Sequence, residues 1–350
     1  MKNLKQTLKT ILVLTLIITV FSCNKNNDNP TPPAEAEDST TYIVGYEENS
    51  SGTKVAMLWK NGIATQLTDG THDARAHSIF IDGTDVYVAG SESNGTNNVA
   101  VLWKNGVATN LTDGLQNAFA RDVYVKDNDV YVAGSESNGT NSVAKLWKNG
   151  SPIYITDGTR NSHATSVFVR DNGDVFIVFN EYGGTYWQAY SRRLGHPISL
   201  LSNSSQDAIA KDFVVGGSGY LYAVGNEFNG TKQVAKLWKG IEAIDLTDGT
   251  QNGFANSIFV ENNTIYVAGN ESNGTKQVAK LWVGGTPTNL TDGTQHGVAE
   301  SVFVKDSDVY VVGIEVNETN NIVAKLWKNG VATDLTDGTQ NARANDIFIE

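Results

Sequence analysis

Three observations predict an all-β chain closed into a ring of seven four-stranded sheets. One unit of about 44 residues recurs seven times, each copy reads as four short strands, and the two ends of the repeat region supply complementary parts of one unit. Bulk composition agrees. The chain has 350 residues, 40% of them hydrophobic, enough to bury a large core. A single cysteine, Cys23, excludes an internal disulfide and a cysteine-ligated zinc site. The formal net charge is -12 with no cluster of Lys and Arg, so no nucleic-acid partner is expected.

Residues 1–22 read as a targeting segment. Lys2, Lys5 and Lys9 precede an apolar run from Ile11 to Phe21 that only Thr15 and Thr19 interrupt. Eleven residues are too few for a stable membrane span and suit the core of a signal peptide. The run ends in Val20-Phe21-Ser22-Cys23, with the lone cysteine at its foot. This resembles the lipobox of bacterial envelope lipoproteins, although Phe21 is bulkier than the usual residue there. The resemblance implies lipidation of Cys23, removal of residues 1–22, a mature charge of -15 and attachment to a membrane. Asn24 follows the cysteine where an aspartate often marks inner-membrane retention, so the resemblance implies the outer membrane rather than the inner. Residues 23–40 are polar, with Pro30, Pro32 and Pro33 together, and read as a disordered tether of at most about 60 Å. The folded repeat region is expected over 41–350.

Within it, Val86–Thr96 and Val130–Thr140 are identical. A Leu-Trp step recurs at Trp59, Trp103, Trp147, Trp238, Trp282 and Trp327, and the double interval between Trp147 and Trp238 holds a unit that lacks it. Glutamates after the second strand mark all seven copies: Glu47, Glu92, Glu136, Glu181, Glu227, Glu271 and Glu315. Ser78-Ile-Phe-Ile81, Val86–Gly90, Val99–Trp103 and Val107–Leu111 are the four strands of one unit. Asp82–Asp85, Asn94-Gly95 and Asn105-Gly106 supply hairpin turns, because Asn and Gly accept positive φ. The first three strands are apolar on both faces, as a sheet covered on both sides requires. The fourth carries Thr and Asn, as a solvated edge should. Four strands in each of seven units resembles a seven-bladed β-propeller, without the Gly-His and Trp-Asp signatures of WD40 repeats and without a kelch pattern. The chain enters at a second strand, Tyr42–Gly45, and stops in a first strand, Asp346–Glu350, so the last strand is expected to complete the first blade.

Strand parity places the second-to-third turn and the inter-unit loop on one face. That face collects the seven glutamates and the loop aspartates Asp69, Asp113, Asp157, Asp248, Asp292 and Asp337, with Ser202 read at the seventh place. Such an acidic ring suits a cation or a basic partner. A feature present in every blade equally suits a joining role, each glutamate accepting N–H groups from the adjacent loop. Asp127-Asn128-Asp129 and Asp306-Ser307-Asp308 share part of a calcium-loop pattern, but read more simply as hairpin turns. Each repeated Trp offers a ring for sugar stacking or, as a core residue, packs between blades.

His72, His77, His163, His196 and His296 share no metal spacing, and no nucleophile elbow, phosphate loop or zinc-protease element occurs. No catalytic residue, metal or cofactor is therefore expected. Symmetry breaks in the fourth unit, where Tyr182, Tyr186, Trp187 and Tyr190 accompany Arg192, Arg193 and His196. Aromatics beside cationic donors suit a sugar, an aromatic ligand or a protein interface; simple drift, with the aromatics repacking the absent Trp, is the alternative. The sequence thus predicts an envelope-anchored binding or scaffold module for a protein or glycan. A polysaccharide-acting hydrolase or lyase is the alternative from another class.

Overall fold

The computed structural model describes residues 39–350, apart from 204, 217, 218 and 241. The signal segment, Cys23 and the tether as far as Asp38 lie outside the described residues. The described residues form seven four-stranded antiparallel sheets. Strands follow chain order across each sheet, and the first strands of neighbouring blades meet around a central axis. The chain is a seven-bladed β-propeller.

Ring closure takes the form that the complementary ends require. Thr41–Glu48 pairs with Lys54–Lys60 on one side and with Ala342–Ile349 on the other. Tyr42 lies opposite Phe348 and Ile43 opposite Ile347. Thr40, expected in the tether, already belongs to this ladder. Its N–H donates to the Glu350 carbonyl (3.1 Å) and its carbonyl accepts from the Glu350 N–H (3.0 Å).

Between blades the core is a set of apolar wedges. The six Trp residues are at most 1% exposed, so they are core residues rather than a stacking surface. Each packs toward the preceding blade: Trp103 joins Tyr42 and Val44 of blade 1, and Trp238 joins Val178 and Ala189 of blade 4. Burying each indole removes a large apolar surface from water, which makes these contacts the main cement of the ring. Outer strands such as Val107–Asn110 are exposed along their whole length. Asn105 (φ 51°) and Gly106 (φ 79°), like Asp127 (φ 52°) and Asn128 (φ 66°), hold the paired positive φ angles of tight hairpins, whereas at Asn94-Gly95 only the glycine does (φ 92°) and the Asn94 side chain caps a longer turn.

Every inner strand carries one β-bulge at the same level, for example between Ala76 and Ser78 in blade 2. The second strand presses on this bulge so closely that a Cβ on Gly90 would lie 2.1 Å from the Arg75 carbonyl oxygen. Glycine avoids that clash in six blades, at 45, 90, 134, 225, 269 and 313. Blade 4 has Phe179 instead. The bulge matters for function because it turns two consecutive side chains toward the axis.

Candidate functional site: the axial lumen

Seven inner strands line the lumen: Ala74–Asp82, Ala118–Lys126, Ser162–Val169, Ala208–Val215, Gly253–Glu261, Gly297–Lys305 and Ala342–Ile349. Their equivalent positions stack into rows. The bulge itself contributes His77, Arg121, Thr165, Lys211, Asn256, Glu300 and Asn345. All seven are polar, and only the asparagine occurs twice. The next residue of each strand contributes Ser78, Asp122, Ser166, Asp212, Ser257, Ser301 and Asp346. Two residues further lie Phe80, Tyr124, Phe168, Val214, Phe259, Phe303 and Phe348.

The serine and aspartate row is a latch between blades. Asp122 accepts from Ser78 Oγ (2.8 Å), Ser166 Oγ (2.9 Å) and the Val167 N–H (2.7 Å). Asp212 likewise takes the Ile258 N–H (3.0 Å), and Asp346 takes the Ile79 N–H across the closure (2.9 Å). Burial raises all three carboxyl pKa values. Asp122 rises to about 7, with repulsion from Asp212 adding to burial, and Asp346 to about 6. Below this row the aromatics touch edge to face or at a tilt, with Phe80 to Tyr124 at 4.7 Å and Phe303 to Phe348 at 5.1 Å.

Above the latch lies a cup of about 240 Å³, lined by the bulge row together with His163 and Ile209. A further space of about 130 Å³ continues down to the serines and aspartates. His77 and His163 are held neutral, with pKa values depressed to about 3 by burial and by nearby Arg121. Solvent reaches Arg121 and Lys211 from the lumen, while the surrounding protein lowers the pKa of each through desolvation. Glu300 holds Arg343 in a tight ion pair. Asn256 donates to the Ala299 carbonyl (2.9 Å) and Asn345 to the Ala76 carbonyl (2.7 Å), which fixes both amides across blade boundaries. Among the described residues no group of three or more His, Cys, Asp or Glu is placed to hold a metal.

The predicted fourth-blade cluster divides. Trp187 and Arg193 end the strand Trp187–Arg193, about 20 Å apart at the usual rise per residue. At one end Trp187 lies 5.8 Å from Tyr182 and 5.2 Å from His163, so Trp187 backs a wall residue of the cup and Tyr182 extends outward from it. Tyr186 precedes them in the turn. At the other end Arg193 pairs with Asp174 (2.6 Å), as Lys148 pairs with Asp129 in blade 3. His196 shares a separate space of about 350 Å³ with Arg192, Arg193 and Leu221. Arg192 occupies the register position of the missing Trp: it faces Ile177, as Trp147 faces Val132. Its Nη1 donates to the Ile155 carbonyl (3.0 Å), just as the Trp282 indole donates to Leu246 (3.0 Å). Tyr190 stacks on Phe179 at 5.3 Å. Arg192, Phe179 and Tyr190 thus rebuild the blade interior.

The glutamate ring is largely neutralised from the neighbouring strand. Lys145, Lys236, Lys280 and Lys325 pair with Glu136, Glu227, Glu271 and Glu315, and Arg160 lies 3.8 Å from Glu181. Met57 and Val101 stand at the lysine position beside Glu47 and Glu92, and burial raises the pKa of both acids. Lysine side chains, rather than loop N–H groups, are therefore the chief partners of these acids. The loop aspartates cap their own turns, Asp69 accepting both the N–H and the hydroxyl of Thr71 (2.9 and 2.7 Å). In the seventh loop that place belongs to Asn203, which accepts the Ser205 N–H (2.8 Å). Ser202 sits one residue earlier, where its hydroxyl accepts the Ala189 N–H (3.2 Å) as Thr68 accepts that of Ala56. Ser202 therefore stands for the loop threonine, and Asn203, not Ser202, for the loop aspartate.

No family model and no curated protein matches this chain. Among solved structures it is similar to a puromycin-hydrolyzing peptidase of Mycobacterium tuberculosis, with a TM-score of 0.59 and 10% identity over 83% of this chain and 53% of that one. Weaker likenesses are to TolB of Acinetobacter baumannii (TM-score 0.48, 11% identity, 71% and 63% covered) and to a virginiamycin B lyase of Staphylococcus aureus (0.49, 11%, 79% and 96%). The chain spans about half the length of the peptidase, and the likeness is one of fold.

Proposed function

We propose that this protein is a ligand-binding module of the cell envelope, held to a membrane through lipidated Cys23, and that the axial cup is its binding site. One observation carries the assignment. Blades 2 and 3 are identical over eleven residues of their second strand and turn, yet their bulge residues are His77 and Arg121. Recent duplication makes blades alike, so a row whose members differ around the axis reflects a demand that has no sevenfold symmetry. A bound molecule imposes such a demand; blade packing does not. Rings beside the cup wall, from Trp187 and Tyr182, favour a glycan or a small molecule from a glycan over a protein surface.

Polysaccharide cleavage is the second reading, and Glu300 is the acid unique to one blade that it calls on. That carboxylate is committed to Arg343, and imidazoles with pKa values near 3 are weak bases, so binding stands ahead of catalysis. A thermal-shift survey of monosaccharides and sugar acids tests the site. Ligands that stabilise the wild type are expected to lose their effect in the Asn256→Leu, Asn345→Leu double variant. Equal shifts in both proteins would place binding elsewhere. The anchor is tested separately: Cys23→Ser is expected to move the protein from the membrane to the soluble fraction.

A further inference from the structure

The upper two rows of the lumen hold a charge pattern opposite to that of the whole protein. The chain carries -12 overall, and its acids crowd the outer loops. In the bulge row and the row above it, Arg75, Arg121, Lys211 and Arg343 face a single carboxylate, Glu300. Two of these cations are accounted for. Arg343 is held by Glu300, and Arg75 lies over the Tyr46 ring at 5.7 Å. Arg121 also lies over a ring, that of Phe119 at 5.7 Å, but like Lys211 it has no hydrogen-bonding or ion-pair partner among the described residues, and both side chains face the solvent of the lumen. A solvated cation without a partner keeps its donors free for an anion that enters the cup.

The rest of the wall narrows the chemistry. Asn256 and Asn345 each donate one amide N–H to a neighbouring blade, which fixes the amide and leaves its Oδ1 to accept a hydrogen bond from a hydroxyl. The volume of about 240 Å³ is below the usual range for drug-sized ligands, roughly 300–1,000 Å³, and suits one sugar ring. The latch carboxylates beneath are engaged by serines and backbone N–H groups. Their raised pKa values leave part of that floor uncharged near neutrality, which lessens its repulsion of an anion.

We propose, on the reading that the axial cup is the binding site, that it takes an anionic monosaccharide, with Arg121 and Lys211 holding its carboxylate or phosphate and the two asparagines reading its hydroxyls. Arg121, with its planar fork, fits either anion bidentately, and Lys211 adds a point charge. Binding of an acidic chain end follows from the same contacts.

Titration calorimetry on the full chain in detergent tests this with galacturonate, glucuronate and glucose 6-phosphate against neutral galactose and glucose. At least one anionic sugar is expected to bind about ten-fold or more tighter than its neutral counterpart, and the advantage should shrink with salt. A carboxylate source and a phosphate source are separated by which of the three binds. Arg121→Gln and Lys211→Gln are each expected to abolish the preference. Melting temperature serves as the fold control, expected to hold because both side chains face solvent and neither is hydrogen-bonded to the fold. Neutral sugars binding as tightly as acids, with Asn256→Leu and Asn345→Leu still abolishing binding, would overturn the anion claim and keep the site. Acids binding with full preference to both glutamine variants would overturn the residue assignment. No heat from any anionic sugar at millimolar concentration would also overturn the anion claim, whereas binding untouched by every lumen variant would sink the axial site itself.

Discussion

The wedges between blades and the lumen at their centre are built from the same seven strands, yet they differ in kind. In the wedges one solution repeats in six of seven blades: a Trp against the preceding blade and a Gly against the bulge. Where the solution is altered, as in blade 4, other atoms restore it. Arg192 replaces the indole and, like Trp282, donates to the equivalent carbonyl. In the lumen nothing restores sameness, and neighbouring blades offer imidazole, guanidinium, hydroxyl, ammonium, amide and carboxylate in turn. Repetition marks what every blade needs in order to stand; divergence marks what the assembled ring does once.

The largest effect is expected from opening the ring. Deleting residues 344–350 removes most of the strand that completes blade 1, and the loss should approach the whole stability of a domain, more than about 5 kcal/mol. Chemical denaturation reads it, and an unchanged midpoint would contradict closure. Removing one wedge comes next. Trp147→Ala should cost about 3–5 kcal/mol, while Arg121→Gln, in the same blade, should cost none. A smaller cost, about 1–3 kcal/mol, is expected for Gly90→Ala, whose Cβ meets backbone that cannot swing aside. Arg192→Ala should cost a similar amount, since it empties a Trp-sized place and strands a carbonyl. If Arg192→Ala left stability unchanged but altered ligand binding, the division between wedge and lumen would fail.

The lumen's effect on stability should be gentler and depend on pH, with two opposed contributions. Asp122 and Asp346 have folded pKa values above the ordinary 3.8, so the folded state holds those protons more tightly. Their contribution is full below about pH 4 and is lost as pH rises through 6 to 7. His77 and His163 are depressed from 6.5 to about 3. Their contribution is present above pH 6.5 and is lost as pH falls toward 3. Melting curves between pH 4 and 8 should therefore be nearly flat in the wild type. Asp122→Asn should tilt them toward greater relative stability at high pH, and His77→Gln toward greater relative stability at low pH. Tilts in the opposite directions would show that these groups are not enclosed as described.

The architecture was legible in the sequence because its causes are local and repeated. Asn-Gly turns, two-sided apolar strands and complementary ends each recur often enough to outvote any one exception. The lumen was not legible in the same way. His77, Arg121 and Lys211 lie within strands whose neighbours, such as Ser78-Ile79-Phe80-Ile81, carry the obvious pattern, and a single polar residue before them reads as strand entry. Only the bulge turns that residue to the axis, and a bulge has no strong sequence mark besides the glycine on the facing strand. A column of seven equivalent positions with six different residue types was nonetheless there to be read. The fourth unit drew attention instead, since its lost Trp is conspicuous. Much of its novelty proves to be repair, with Trp187 and Tyr182, behind the cup wall, as the exception.

The most direct measurement is a crystal structure of the protein soaked with galacturonate, glucuronate and glucose 6-phosphate. Density for a sugar within the bulge row, its anionic group against Arg121 and Lys211 and its hydroxyls toward Asn256 and Asn345, is the predicted result. Sugar bound instead beside His196 or on the acidic outer loops, with only solvent on the axis, would contradict the claim that this propeller works at its centre.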